Sequence, residues 1–466
     1  NHIDAAGSMT KAVELLRGRY TPCPPIEVEC RNHDEISEAV ACRVDRIMLD
    51  NMTPDMLPEA LEMIPSSIET EISGGVSLDT IRAYATVSTV RKPDFISVGR
   101  ITHSAVTADL SMRIAIPMTT APLSSDARAI EELRSKLGGR LTIVGHHYEQ
   151  EATIQHCDIR GDSLELARRV PGIASDYIVF CGVYFMAESA ALLAREGQQV
   201  LLPDHSADCV MAQMTPARLL DRVLGRLTAS GRKLVPLAYV NTSLAVKAVV
   251  GRYGGAVCTS ANAEKMMNWA FRQGDGVLFL PDKNLARNTA RKLGITGRDI
   301  HILDVRKTGE AVDLEAADKA ALVLWPGLCA IHARFHPGQI EAVRKADPSC
   351  KVIVHPECSP EVVRAADGAG STTYIIEYVR NAPDGAHIYV GTEINLVERL
   401  AREQEGRIRV EALRSSACSN MAKITPEKLR ATLEGIVAGN TDPITVPSED
   451  SAPAKASLER MLEACA

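Results

Sequence analysis

Short apolar runs that stop at polar residues recur along the chain, separated by stretches with helical spacing. Over the first 113 residues, IEVEC (26–30), RIMLDN (46–51), EISGG (71–75) and FISVG (95–99) are four such runs. Between them, DEISEAVACR (34–43) and SLDTIRAYAT (77–86) carry the helical pattern. Strands alternating with helices at this interval predict βα units and a parallel sheet. Four units amount to half of a βα barrel, a fold that builds its site from polar residues at the carboxyl ends of its strands. Residues 1–115 are therefore expected to form a partial βα barrel. The segment IPMTTAPLSSDA (116–127) gathers Pro, Thr and Ser and is expected to be a linker.

A longer system follows with a faint internal repeat. TIVGHHY (142–148), KLVPLAYVN (233–241) and ALVLWPGLC (321–329) are each an apolar run ending in a polar cluster, at intervals of about 90 residues, with Val144, Val235 and Val323 in register. A second run follows each of these: DYIVFCGV (176–183), GGAVCTSAN (254–262) and CKVIVHPEC (350–358). A third follows in turn: QQVLLPDHS (199–206), GVLFLPDKN (276–284) and HIYVGTE (387–393). The pattern predicts an α/β fold of three small pseudo-threefold-related α/β sandwich domains, at about 128–225, 226–315 and 316–425, with a C-terminal helical tail to 466. Ligands of open parallel sheets bind beyond the carboxyl ends of the strands. Here those ends carry His146, Tyr148, Met186, Cys209, Tyr239, Asn241, Ser260, Cys329, His355, Glu357 and Thr392.

Composition narrows the function classes. The 466 residues are 45% hydrophobic and 24% charged, which excludes wholesale disorder. A net charge of -7 and 4% aromatic residues offer neither a basic footprint nor a stacking platform for nucleic acid. The longest apolar stretch, Ile178 to Leu193, is interrupted by Glu188 and Ser189, so no membrane span is expected. The N-terminus lacks the basic and apolar regions of a secretory leader, and the absent initiator Met is what a fragment or processed product shows. The 12 cysteines are scattered without a CxxC pair, which points to free thiols and a reducing, cytoplasmic location.

Eleven ordered motifs then carry a resemblance. GHHY (145–148), GDSLELA (161–167), GVYFMAES (182–189), YVNTS (239–243), CTSAN (258–262), FLPDKNL (279–285), WPGLC (325–329), HPEC (355–358), GST (370–372), GTE (391–393) and CSNM (418–421) resemble the motif series of quinolinate synthase, and SLERML (457–462) its terminal helix. The resemblance implies condensation of iminosuccinate with dihydroxyacetone phosphate to quinolinate, phosphate and water, with an aspartate-oxidising enzyme as the functional partner supplying iminosuccinate. It implies a central [4Fe-4S] cluster on Cys209, Cys329 and Cys418, one from each domain, leaving one iron open as a Lewis acid. By the same resemblance His146, Ser163, Tyr239, Asn241, Ser260, His355, Glu357 and Thr372 bind substrate. Glu357, Tyr148 and His355 are the expected catalytic groups. Cys258 and Cys358 are read as packing. Where the family usually has Ala-Gly-Cys, this chain has Ala207-Asp208-Cys209, an extra carboxylate expected to lower the cluster's potential or disturb the loop.

NHI (1–3), EVE (27–29), LDNM (49–52), SGG (73–75) and SVGRITHSA (97–105) are similar to the last third of quinolinate phosphoribosyltransferase (nicotinate-nucleotide pyrophosphorylase, decarboxylating). On that resemblance Glu29 and Asp50 correspond to acidic groups around the ribose and its metal. Ser73, Gly74, Gly75 and Gly99 would bind phosphate through backbone amides, completing a vestigial ribose-phosphate site. The chain thus reads as a truncated phosphoribosyltransferase fused to a quinolinate synthase. The alternatives are a bifunctional fusion that also makes nicotinate mononucleotide, and a half barrel serving only as scaffold.

Overall fold

The computed structural model describes Ile3 and residues 6–87, 91–99 and 124–465. The chain separates into two compact units, Asn1–Thr119 and Thr120–Ala466.

The first unit holds one parallel sheet with strands in sequential order: β1 (Glu27–Cys30), β2 (Arg46–Asp50), β3 (Glu69–Ser73) and β4 (Phe95–Ile96). Alternation explains its layering. Val28, Cys30, Ile47, Leu49 and Ile72 face the helices Met9–Arg19, His33–Ala41 and Leu57–Glu62 in one apolar cluster. The other face is polar. There Arg46 pairs with Glu69 at 2.7 Å, Glu71 at 3.3 Å and Glu27 at 3.7 Å, and lies 4.1 Å from the ring centre of Phe95. The helix expected over 77–86 is shorter, Ile81–Ala85. Residues 116–123 of the expected linker and 100–105 of the phosphoribosyltransferase-like motif lie outside the described residues. The end of that linker is helical, because Ser124 accepts from Ala127 N–H and caps Ser125–Leu137.

The second unit contains three parallel sheets. The first comprises β5 (Leu141–His146), β6 (Ile159–Gly161), β7 (Tyr177–Cys181) and β8 (Gln199–Leu201), in the order β6-β5-β7-β8. The second comprises β9 (Leu234–Tyr239), β10 (Ala256–Cys258), β11 (Gly276–Leu280), β12 (Ile300–Ile302) and β13 (Leu322–Leu324), in the order β10-β9-β11-β13-β12. The third comprises β14 (Lys351–Val354), β15 (Gly368–Ala369), β16 (His387–Gly391) and β17 (Arg409–Ala412), in the order β15-β14-β16-β17. Central strands such as β9 and β11 are buried along their whole length, as parallel strands covered on both faces must be.

The repeat is real but differently phased from the sequence pattern. The run around Val323 does not open the third repeat. It is β13, hydrogen-bonded to β11, so a boundary at 315/316 would cut through the second sheet. The third sheet opens at Lys351. An extra strand, β12, lengthens the second sheet and makes the spacing uneven. β6 and β15 are three and two residues long, too short to stand out as apolar runs. Among the described residues, no helix is long and apolar enough to cross a membrane.

The terminal helix Ser448–Ala464 packs against the helix Leu244–Arg252, and its Arg460 donates to Gly255 O at 2.6 Å. A Cβ on Gly251 would meet the Pro453 carbonyl. Gly251→Ala is therefore expected to destabilise the second unit by about 1–3 kcal/mol through overpacking. The check is a urea unfolding curve, and an unchanged midpoint would contradict this packing.

Candidate active site

The three first strands leave their sheets in the same way. β5 runs into His146-His147-Tyr148, β9 into Tyr239-Val240-Asn241 and β14 into His355-Pro356-Glu357. In two of these turns the imidazole accepts from the backbone two residues on: Tyr148 N–H to His146 Nδ1 at 3.1 Å, and Glu357 N–H to His355 Nδ1 at 3.4 Å. The second strands end beside Ser163, Ser260 and Thr372. Ser163 and Thr372 open helices capped by Asp162 and Ser371. Cys209 follows β8, Cys329 follows β13 and Cys418 follows β17. All twelve residues expected in the synthase site line one cavity of about 180 Å³.

A hydrogen-bonded chain crosses this cavity. Tyr239 Oη donates to Glu357 Oε1 at 2.5 Å, and His332 Nδ1 lies 2.8 Å from Glu357 Oε2. His332 Nε2 lies 3.1 Å from Thr392 Oγ1, which lies 2.7 Å from Tyr148 Oη. Thr372 Oγ1 donates to Tyr148 Oη at 3.2 Å. The rings of His332 and His355 stack at 4.5 Å. Burial pushes Glu357 up, but the imidazoles of His332 and His355 and the bonds from His332 and Tyr239 outweigh it, holding the carboxyl well below the usual range. Burial lowers His146 and His355 to about 3, so both are neutral near pH 7. Burial also keeps Tyr148 and Tyr239 protonated.

The cysteines share a second arrangement. Each precedes a short helical turn, Val210–Gln213 after Cys209, His332–Arg334 after Cys329 and Met421–Lys423 after Cys418, whose nearby backbone N–H groups favour the thiolate. Burial pushes the Cys209 thiol up to about 12 and raises the other two, with these N–H groups offsetting part of the rise. Three thiols on one cavity are a donor set suited to an iron–sulfur cluster. The ligand atoms of Cys329, His332 and Glu357 also lie within 4.8 Å of one another.

Sequence reasoning missed His332, although its place three residues after Cys329 on the same turn was a usable signal. It also missed Lys247, which is fully buried, donates to Thr242 O, lies 5.3 Å from the Phe185 ring centre and is lowered by burial to about 8. Nothing in the local sequence marks that side chain as buried.

In the first unit, Ser73, Gly74, Gly75 and Gly99 line a separate cavity with Val76, Ser77 and Ser97. Gly74, at φ +90°, has the Asn51 side chain and backbone against it and leaves no room for a Cβ. Asp50 is paired with Ser73 in the β2–β3 register and accepts from Asn51 Nδ2 at 2.6 Å. Glu29 is exposed on β1 and is not among the residues lining this cavity.

Residues 128–463 match the family model described as quinolinate synthetase A protein, and residues 1–113 match that of the quinolinate phosphoribosyl transferase C-terminal domain. The chain is 44% identical over 351 residues to a quinolinate synthase of Geobacillus kaustophilus, covering 74% of this chain and 94% of that protein. It is 42% identical over 338 residues to a quinolinate synthase of Bacillus subtilis, covering 72% and 91%. It is also similar to a solved structure of NadC from Streptococcus pyogenes at 35% identity and a TM-score of 0.22, covering 24% of this chain and 39% of that one.

His332→Leu keeps bulk but removes a donor from a buried carboxylate, which costs about 3 kcal/mol. Because Glu357 is held below its ordinary value of 4.5, its stabilisation is present above that pH and lost as the pH falls through the folded value. The variant's deficit should therefore be full at pH 7 and shrink below about pH 4.5. Urea unfolding of both proteins at the two pH values checks this, and a pH-independent difference would contradict it.

Proposed function

The chain belongs, over residues 128–463, to the quinolinate synthetase A protein family, and we propose that it condenses iminosuccinate with dihydroxyacetone phosphate to quinolinate, phosphate and water. The observation that carries this reading is the convergence of the three thiols and nine polar groups on one cavity. Cys209, Cys329 and Cys418 would hold a [4Fe-4S] cluster, which supplies an open iron as a Lewis acid toward substrate oxygen or nitrogen. The hydroxyls of Ser163, Ser260 and Thr372 and the Asn241 amide hold the dicarboxylate through hydrogen bonds. The neutral imidazoles of His146 and His355 add one donor each.

Condensation followed by dehydration needs a group that takes protons and one that returns them. Glu357, held as carboxylate, is the acceptor, and Tyr148, held protonated, is the donor. The path Tyr148–Thr392–His332–Glu357 connects them through contacts of 2.7, 3.1 and 2.8 Å, so a proton can pass between the two without bulk water. An aspartate-oxidising enzyme is the expected source of iminosuccinate. For residues 1–113, which belong to a fold unit spanning about two fifths of the NadC chain they resemble, we propose a retained ribose-phosphate-binding face without turnover.

Each of Cys209→Ser, Cys329→Ser and Cys418→Ser should lose iron after air-free purification, while Cys258→Ser and Cys358→Ser keep it. Full iron in Cys329→Ser would overturn the ligand assignment. Glu357→Gln should keep iron and lose turnover by about 10²–10⁴-fold, and a near wild-type rate would reduce Glu357 to a structural group. With quinolinate, phosphoribosyl pyrophosphate and Mg²⁺ no nicotinate mononucleotide is expected, and clear product would favour the bifunctional reading.

A further inference from the structure

In each sheet of the second unit the third strand enters a helix through one cap residue: Val183 after β7, Asp282 after β11 and Glu393 after β16. The residue after the cap donates to the carbonyl two positions before a cavity cysteine in all three. Tyr184 reaches Ala207 at 2.8 Å, Lys283 reaches Gly327 at 3.0 Å and Ile394 reaches Ser416 at 3.0 Å. The three junctions are one repeated device.

In two of them the cap carboxylate also holds the cysteine. Asp282 Oδ2 accepts from Cys329 N–H at 3.1 Å, and Glu393 Oε1 accepts from Cys418 N–H at 3.2 Å. Val183 has no oxygen to offer in the first junction and makes no side-chain cap bond. There the Cys209 N–H donates to Asp208 Oδ1 at 2.7 Å, and the same carboxylate accepts from Gln213 Nε2 at 2.7 Å through Oδ2. The carboxylate has moved from the cap to the cysteine loop.

We infer that Asp208 is a positioning residue for Cys209, supplying the backbone acceptor that Val183 cannot. The inference rests on the reading of Cys209 as a cluster ligand. Holding the N–H fixes the cysteine's backbone and with it the direction in which the sulfur leaves the chain. A site with three ligands needs all three loops fixed, and groups that orient ligands in this way govern how tightly metal is kept. Asn at position 208 retains an acceptor oxygen, whereas Ala has none. The carboxylate beside Cys209 is therefore an orienting group, and the expectation that it disturbs the loop is reversed.

The test compares the full chain, Asp208→Asn and Asp208→Ala, all prepared without air. Iron and sulfide per chain, the rate at which a chelator removes iron, and deuterium exchange of the peptide spanning Cys209 are measured. Wild type and Asp208→Asn should release iron within about twofold of each other, and Asp208→Ala about tenfold faster. Amide exchange at Cys209 should quicken only in Asp208→Ala. An Ala variant with wild-type release and exchange would overturn the inference, as would an Asn variant that behaves like Ala. Failure of the cluster reading is distinct: the wild type would then lack iron and sulfide, while the exchange rates would still decide whether Asp208 holds Cys209.

Discussion

Backbone carbonyls and amides that leave a strand into a buried cavity need partners, and in the second unit each turn finds them on a neighbouring sheet. The helix Tyr184–Leu193 of the first sheet places Glu188 to accept from Leu244 N–H at 2.9 Å, just beyond Asn241 of the second. From the second sheet's helix Lys283–Lys292, Asn284 donates to Glu357 O at 3.3 Å, and Asn288 to Pro356 O and Cys358 O at 2.8 and 2.9 Å. From the third sheet's helix Ile394–Glu403, Asn395 donates to Tyr148 O at 3.3 Å, and Arg399 to His147 O and Glu149 O at 2.9 and 2.8 Å. The bonds close a ring, first sheet to second to third and back. The turns that carry His146 and Tyr148, and His355 and Glu357, are thus each held by a helix of a sheet other than their own.

The groups around the cavity are buried, and burial sets their protonation. Imidazoles that would titrate near neutrality in water are held neutral, and thiols are held protonated until a cation compensates for burial. Glu357 escapes this rule because two rings and a phenol surround it with partners. A carboxylate and a protonated phenol are thus set apart by environment within one cavity, joined by hydrogen bonds through His332 and Thr392.

The first unit is organised on a different principle. Its sheet buries one face against helices and leaves the other to Arg46 and three glutamates, so charge pairing replaces packing on that side. Its glycine turn holds Gly74 and Gly75 at positive φ, with Gly74 against Asn51, and the backbone of Ser73–Gly75 faces the small cavity beside it.

The sequence by itself determined the class of each unit, because apolar runs alternating with helical spacing report parallel strands wherever those strands are long. The ordered motifs determined the family and twelve of the cavity's residues, since those residues follow strand ends at fixed local offsets. Tertiary structure decided what local offsets cannot carry. β13 is as apolar as the strand that opens the first sheet, and only its pairing with β11 assigns it to the second. His332 and Lys247 are ordinary helix-compatible residues until folding buries them against Glu357 and Phe185. Asp208 read as an intruder beside a ligand, because the absence it compensates lies at Val183, 25 residues earlier and adjacent only once the helix after β7 docks on the cysteine loop. Such relations join residues distant in the chain through single hydrogen bonds, which leave no period or motif to read.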